Sequence, residues 1–84
     1  MKQTESTFGK FVVCLNNEEY PASLELHKIY HTLPDADAEQ DGDLRIIDES
    51  GEDYLYPASY FLVVTFPQET THALQESFAH NLKE

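Results

Sequence analysis

Tyr54-Leu55-Tyr56-Pro57-Ala58-Ser59-Tyr60-Phe61 is the stretch on which the fold turns. Aromatic and branched side chains suit a pleated, half-buried surface. Tyr54-Leu55-Tyr56 therefore reads as one strand and the run from Phe61 to Phe66 as another. Pro57 has no N–H to give to a sheet ladder, so Pro57-Ala58-Ser59 interrupts the two. Just upstream, Glu49-Ser50-Gly51-Glu52 is a tight hairpin turn in which Gly51 supplies the positive φ. That turn makes Leu44-Arg45-Ile46-Ile47 the strand that precedes Tyr54–Tyr56. Pro67 stops the sheet.

Outward from this centre, Phe8 to Leu15 is a buried strand rich in Val and Phe, and Asn16 to Pro21 is a loop. Leu24-Glu25-Leu26-His27 alternates apolar and polar, turns at His27-Lys28, and leads into a strand over Ile29–Leu33 that Pro34 ends. Asp35 to Gly42 is an acidic segment with one helical turn over Asp37–Gln40, closed by Asp41-Gly42. Beyond Pro67, Thr70 or Thr71 caps a C-terminal helix. Leu74, Phe78 and Leu82 lie four apart along one of its faces, to dock on the sheet or to meet a partner.

Five short strands with turn signals between them fit a small barrel, which removes the edges that an open sheet of this size would leave. The expected organisation is a frayed segment over 1–7, a barrel over 8–66 and a C-terminal helix or tail over 67–84. The fold class is all-β, a five-stranded small barrel with a short C-terminal α-helix.

The stretch Tyr54–Phe61 resembles the part of Src-homology-3 (SH3) domains that ends the fourth strand, makes a short 3₁₀ turn and enters the fifth. Lys10 to Asn17 resembles the first strand of that fold, and Leu24 to Tyr30 its diverging turn. The likeness runs from about Phe8 to Phe66. The run Asp48 to Ala58 is also similar to one in small bacterial SH3-like proteins, which implies the fold and no particular activity. In peptide-binding members of the family two tyrosines near the end of the first strand line a groove for proline-rich ligands. Leu15 and Asn17 stand at those positions here, and the wall tryptophan has no counterpart. Only Pro57 and Tyr60 match that groove, with Ser59 where an Asn is usual. Proline-helix recognition needs a ladder of aromatic faces, so a different ligand is expected. The resemblance also places Tyr56 in the core.

Sixteen acids against five bases give a net charge of −11, and nine of the acids lie between Asp35 and Asp53. Such a surface repels nucleic acid and anionic membranes and attracts a basic protein or a cation. The apolar runs are too short for a signal peptide or a membrane span, so neither export by that route nor membrane insertion is expected. Cys14 is the one cysteine. In the run Phe11–Leu15 it reads as a buried small hydrophobe, suited to a reducing cytoplasm.

Several constellations carry less than they first promise. Asp37, Glu39 and Asp41 followed by Gly42 have the opening spacing of an EF-hand loop, but Arg45 and Asp48 occupy its ninth and twelfth positions and no flanking helices are evident. A solvated acidic segment is expected. His27 and His31, and His72 and His80, lack a third ligand and read as exposed histidines. No cofactor and no metal are expected. With three glycines there is no phosphate loop, and Cys14 sits mid-strand without a positioning motif, so the chain is expected to be a non-enzyme.

Tyrosines remain, since they give a large contact area with a polar tip at low entropy cost. The expected partner-binding residues are Tyr20, Tyr54, Pro57, Ser59 and Tyr60, facing an unidentified protein partner beside the acidic segment, with Phe78 and Leu82 adding to that surface. The alternative function is an acidic mimic of nucleic acid that occupies the binding site of a basic protein. The number of copies in the assembly stays open.

Overall fold

The structure is a computed structural model and describes residues 9–82, with side chains described to Ala79. The expected frayed segment 1–7, Phe8, and the side chains of His80 and Leu82 lie outside the described residues. Five strands are seen: β1 Phe11–Cys14, β2 Ile29–Leu33, β3 Asp43–Ile47, β4 Asp53–Pro57 and β5 Phe61–Val64. A short helix α1, Ala36–Gln40, lies between β2 and β3, and a 3₁₀ turn, Ala58–Tyr60, joins β4 to β5. Helix α2 runs from Gln68 to Leu82.

All strand pairs are antiparallel and form one sheet in the order β4-β3-β2-β1-β5. Strand β2 serves two neighbours. Ile29, Tyr30 and His31 pair with β1, while Thr32 and Leu33 pair with β3. Alternation then sends Val12, Cys14, Tyr30, Leu44, Ile46, Tyr56 and Phe61 into one core, which Leu24 joins from the segment between β1 and β2. Cys14 is fully buried there, as its apolar run implied.

Two glycines stand where the backbone calls for them, one by crowding and one by its φ. At Gly9 a Cβ would meet the Thr32 carbonyl oxygen at 2.7 Å, because Gly9 N donates to that oxygen at 2.8 Å. At the β3–β4 turn Gly51 has φ +84°, and its N–H donates to the Asp48 carbonyl at 2.9 Å.

Differences from the sequence expectations sit at element ends. The first strand starts at Phe11, and Leu15 is half exposed rather than buried, its N–H donating to the Tyr60 carbonyl at 2.7 Å. Residues 24–27 do not form a strand; His27 takes a positive φ of 66° at the expected turn. The last strand ends at Val64 rather than Phe66. Helix α2 starts two residues before Thr70, so neither threonine caps it. The Thr71 N–H makes the first intrahelical bond to Pro67, and its Oγ1 donates back to the Phe66 carbonyl.

Phe78 packs on the sheet. Its ring stacks on Phe11 at 5.8 Å and on His31 at 4.7 Å between centroids, so α2 docks across the β1–β2 pair through this residue. His31 is therefore buried, 3% exposed, and not the exposed histidine its polarity suggested. Burial pushes its imidazole pKa down.

Candidate functional site

The β3–β4 turn is built around a buried carboxylate. Asp48 is 6% exposed, and its Oδ1 accepts from Ser50 N–H at 2.9 Å and Ser50 Oγ at 2.6 Å. Its Oδ2 accepts from the Tyr56 hydroxyl at 2.5 Å. An Asp two residues before a Ser-Gly pair favours this side-chain turn, because the carboxylate satisfies the N–H groups that the reversal leaves over. Burial and the Asp48 carboxylate together push the Tyr56 pKa up to about 12. The Tyr56 ring is thereby fixed in the core as a floor.

The long excursion between β1 and β2 folds over that floor. Asn17 Nδ2 donates to the Leu24 carbonyl at 2.9 Å, and Glu49 N–H donates to the Ser23 carbonyl at 3.0 Å, tying the excursion to the β3–β4 turn. The Tyr30 hydroxyl accepts from Glu25 N–H at 2.7 Å and donates to Glu49, whose Oε2 also takes Lys28 Nζ at 2.8 Å. Lys28 and the Tyr30 hydroxyl hold the Glu49 carboxyl below its usual range. Glu49 is thus a strut.

Tyr20 rides on this scaffold. Its ring meets Tyr56 edge-on at 4.9 Å and lies 6.2 Å from Tyr60 at 57°. The Tyr60 hydroxyl donates to Glu19 at 3.2 Å, which pins the 3₁₀ turn to the same excursion. Tyr54 shares a strand face with Tyr56 but stands at the β4 end next to the turn, 52% exposed. Tyr20 and Tyr54 both line a shallow groove of about 320 Å³ beside β4, together with Ser23, Asp48, Ser50, Leu55 and Tyr56.

Of the five residues expected from sequence, the structure brings three together through Tyr20, which lies 6.2 Å from Tyr60 and lines one groove with Tyr54. Pro57 closes β4 opposite Asp43, at the strand end away from Tyr54, and Ser59 is exposed in the 3₁₀ turn. These two do not line the groove. Asp48, Leu55 and Ser23 belong to the groove and escaped the sequence reading. The Asp48-Glu49-Ser50-Gly51 turn pattern carried the signal for Asp48, whereas Ser23 reaches the site only by tertiary placement.

The acidic surface is partly spent on the fold. Asp35 caps α1 by accepting Ala38 N–H at 3.0 Å, and it takes Arg45 Nε at 2.8 Å; both contacts hold its carboxyl below the usual range. Arg45 also reaches Asp53 at 2.9 Å, and Lys10 lies 3.8 Å from Glu39. Lys10, Lys28 and Arg45 are the described lysines and arginines, and each already faces a carboxylate. No described basic side chain lies within 4.0 Å of Glu18, Glu19 or Glu52, which precede Tyr20 and Tyr54 in the chain. The EF-hand-like spacing lies on α1 and its C-cap rather than on a loop, and no group of three metal-ligating side chains occurs among the described residues.

The chain matches no protein-family model, no curated protein and no solved structure. No described helix is long and apolar enough to cross a membrane.

Proposed function

We infer that this chain is a non-catalytic protein-interaction module on an SH3-like small barrel, acting in the cytoplasm. Support for the fold lies in the strand order, in β2 shared between two neighbours, in the 3₁₀ turn between β4 and β5, and in the long excursion that meets the β3–β4 turn. A strand that changes partner midway turns the sheet back on itself. The lone buried thiol suits a reducing compartment.

One observation carries the function. Tyr20, Tyr54 and Tyr60 form a contiguous face held from below by Tyr56 and Asp48. Rigid aromatic rings with polar tips, positioned before any partner arrives, are what a docking surface requires. The perturbed side chains are engaged within the fold: Glu49 meets Lys28 and Tyr30, Tyr56 meets Asp48, and Asp35 caps α1 and meets Arg45. The nucleic-acid mimic is the weaker reading. Asp35, Glu39, Asp48, Glu49 and Asp53 are engaged within the fold, which leaves a phosphate mimic few free carboxylates in a row.

The test is affinity capture from the source cells with the parent chain and with Tyr20→Ala/Tyr60→Ala, at low and moderate salt. A protein kept at moderate salt by the parent and lost by the double variant supports the tyrosine face. A protein that the variant keeps but salt strips points to the acidic mimic instead.

A further inference from the structure

The groove between Tyr20 and Tyr54 has a chemistry that selects its occupant. Three tyrosines, Tyr20, Tyr54 and Tyr56, line it, Tyr54 is 52% exposed, and Leu55, 46% exposed, adds apolar surface. Among its lining residues is the Asp48 carboxylate. The described donors, Ser50 N–H, Ser50 Oγ and the Tyr56 hydroxyl, use three of the roughly four acceptor positions such a group offers. The groove contains no basic side chain. Glu52 and Asp53 precede Tyr54 in the chain, and Glu18 and Glu19 precede Tyr20, so each tyrosine is flanked by acids. Arg45 already neutralises Asp53, whereas Glu18, Glu19 and Glu52 have no described basic neighbour. A chain of net charge −11 that puts exposed aromatic rings among unneutralised acids is complementary to a cation with a flat face.

We propose that this groove takes an arginine side chain from a basic segment of the protein partner, its guanidinium lying against Tyr54 and Tyr20 and facing the acidic rim. Arginine fits better than lysine. A planar guanidinium stacks on a ring and forks toward a carboxylate, while an ammonium is a strongly hydrated point charge. The groove lies by the β3–β4 turn, away from Pro57. The inference rests on the reading of the tyrosine face as an interface, and it names the chemistry of what binds there.

The probe is a short peptide of alternating arginine and glycine, with its lysine–glycine counterpart, titrated into the isotope-labelled 84-residue chain and followed by NMR. The expected result is that the arginine peptide shifts the ring signals of Tyr20 and Tyr54 and the amides of Ser23 and Ser50. The lysine peptide shifts them less at equal concentration. Tyr54→Ala weakens the arginine peptide roughly three- to tenfold, and Tyr54→Phe keeps most of the affinity. Tyr54 is half exposed, so the Ala variant keeps its fold, and its unchanged spectrum elsewhere confirms that. Equal shifts from both peptides, spread over the acidic segment 35–43, overturn the proposal, as does the absence of any shift at the groove. If the groove stays silent while Tyr20→Ala/Tyr60→Ala still abolishes partner capture, the interface stands and the arginine assignment falls. If both experiments are silent, both fall.

Discussion

Replacing Tyr56 by Phe removes one oxygen and leaves the ring, which makes it a clean probe of the scaffold beneath the tyrosine face. The lost hydroxyl donates to Asp48 Oδ2 at 2.5 Å, and Asp48 is 6% exposed, so water has little access to take its place. A hydrogen bond to a charged group contributes about 1.5–3 kcal/mol, and the stranded acceptor places the loss within that range. At about 2.1 cal/mol/K per residue, 84 residues carry an unfolding entropy of ~0.18 kcal/mol/K, so a loss of about 2 kcal/mol lowers Tm by about 11 °C. Thermal unfolding followed by circular dichroism at pH 7 reads this directly. The change has a second signature in alkali. The folded-state pKa of Tyr56 is raised to about 12 from the ordinary 10. The stabilisation from its protonated hydroxyl is therefore complete below pH 10 and is lost as pH rises from 10 toward 12. The parent and variant curves should converge across that interval. A Tm drop under about 3 °C at pH 7, or a gap that stays constant from pH 9 to 12, would refute the claim that the Tyr56–Asp48 bond supports this turn.

Four further outcomes are expected. His31 is kept neutral by burial under Phe78, with a pKa below the ordinary 6.5. Its share of stability is whole above about pH 6.5 and declines as pH falls below that value, because the unfolded chain binds the proton first; a comparison of urea midpoints for the parent and His31→Phe at pH 7.5 and 5 checks the sign. Gly9→Ala drives a methyl against the Thr32 backbone and should cost about 1–3 kcal/mol in chemical denaturation. Gly51→Ala forces a Cβ onto a residue with φ +84° and should cost about 1 kcal/mol in the same assay, with little space-filling effect since nothing lies near it. Cys14 is fully buried and its thiol pKa is pushed up by burial, so a thiol reagent at pH 8 should label it only as fast as the chain opens, and quickly in denaturant.

The order of strands and turns was legible in the sequence where one residue type forces one conformation. Gly51 had to make the turn and the alternation in Ile29–Leu33 gave that strand its observed bounds, while Pro57 ends β4 as its last paired residue, opposite Asp43, one position later than its missing N–H suggested. Strand ends were less legible, because hydrophobicity runs past the last ladder bond: Leu15, Thr65 and Phe66 look like strand and are not. Tyr54 and Tyr56 could be told to share a face, but their exposures differ because the excursion carrying Tyr20 covers one and not the other. That is a long-range contact with no local trace. His31 shows the same limit. Its polarity argued for solvent, and the return of α2 lays the Phe78 ring on it. The groove was half visible: its tyrosines stood out by type, while Asp48 was counted only among the clustered acids and is the carboxylate that takes the Tyr56 hydroxyl.

The most direct test of the tyrosine face as a partner interface places a photoreactive phenylalanine at Tyr54 and, separately, at Ser77 on the exposed side of α2. Both positions are open to solvent, and substitution at either spares the core. Irradiation in the source cells should give one discrete crosslinked protein from position 54, lost when Tyr20→Ala/Tyr60→Ala is added, and no such product from position 77. Equal crosslinking from both positions, or a product at 54 that survives the double substitution, would contradict the account.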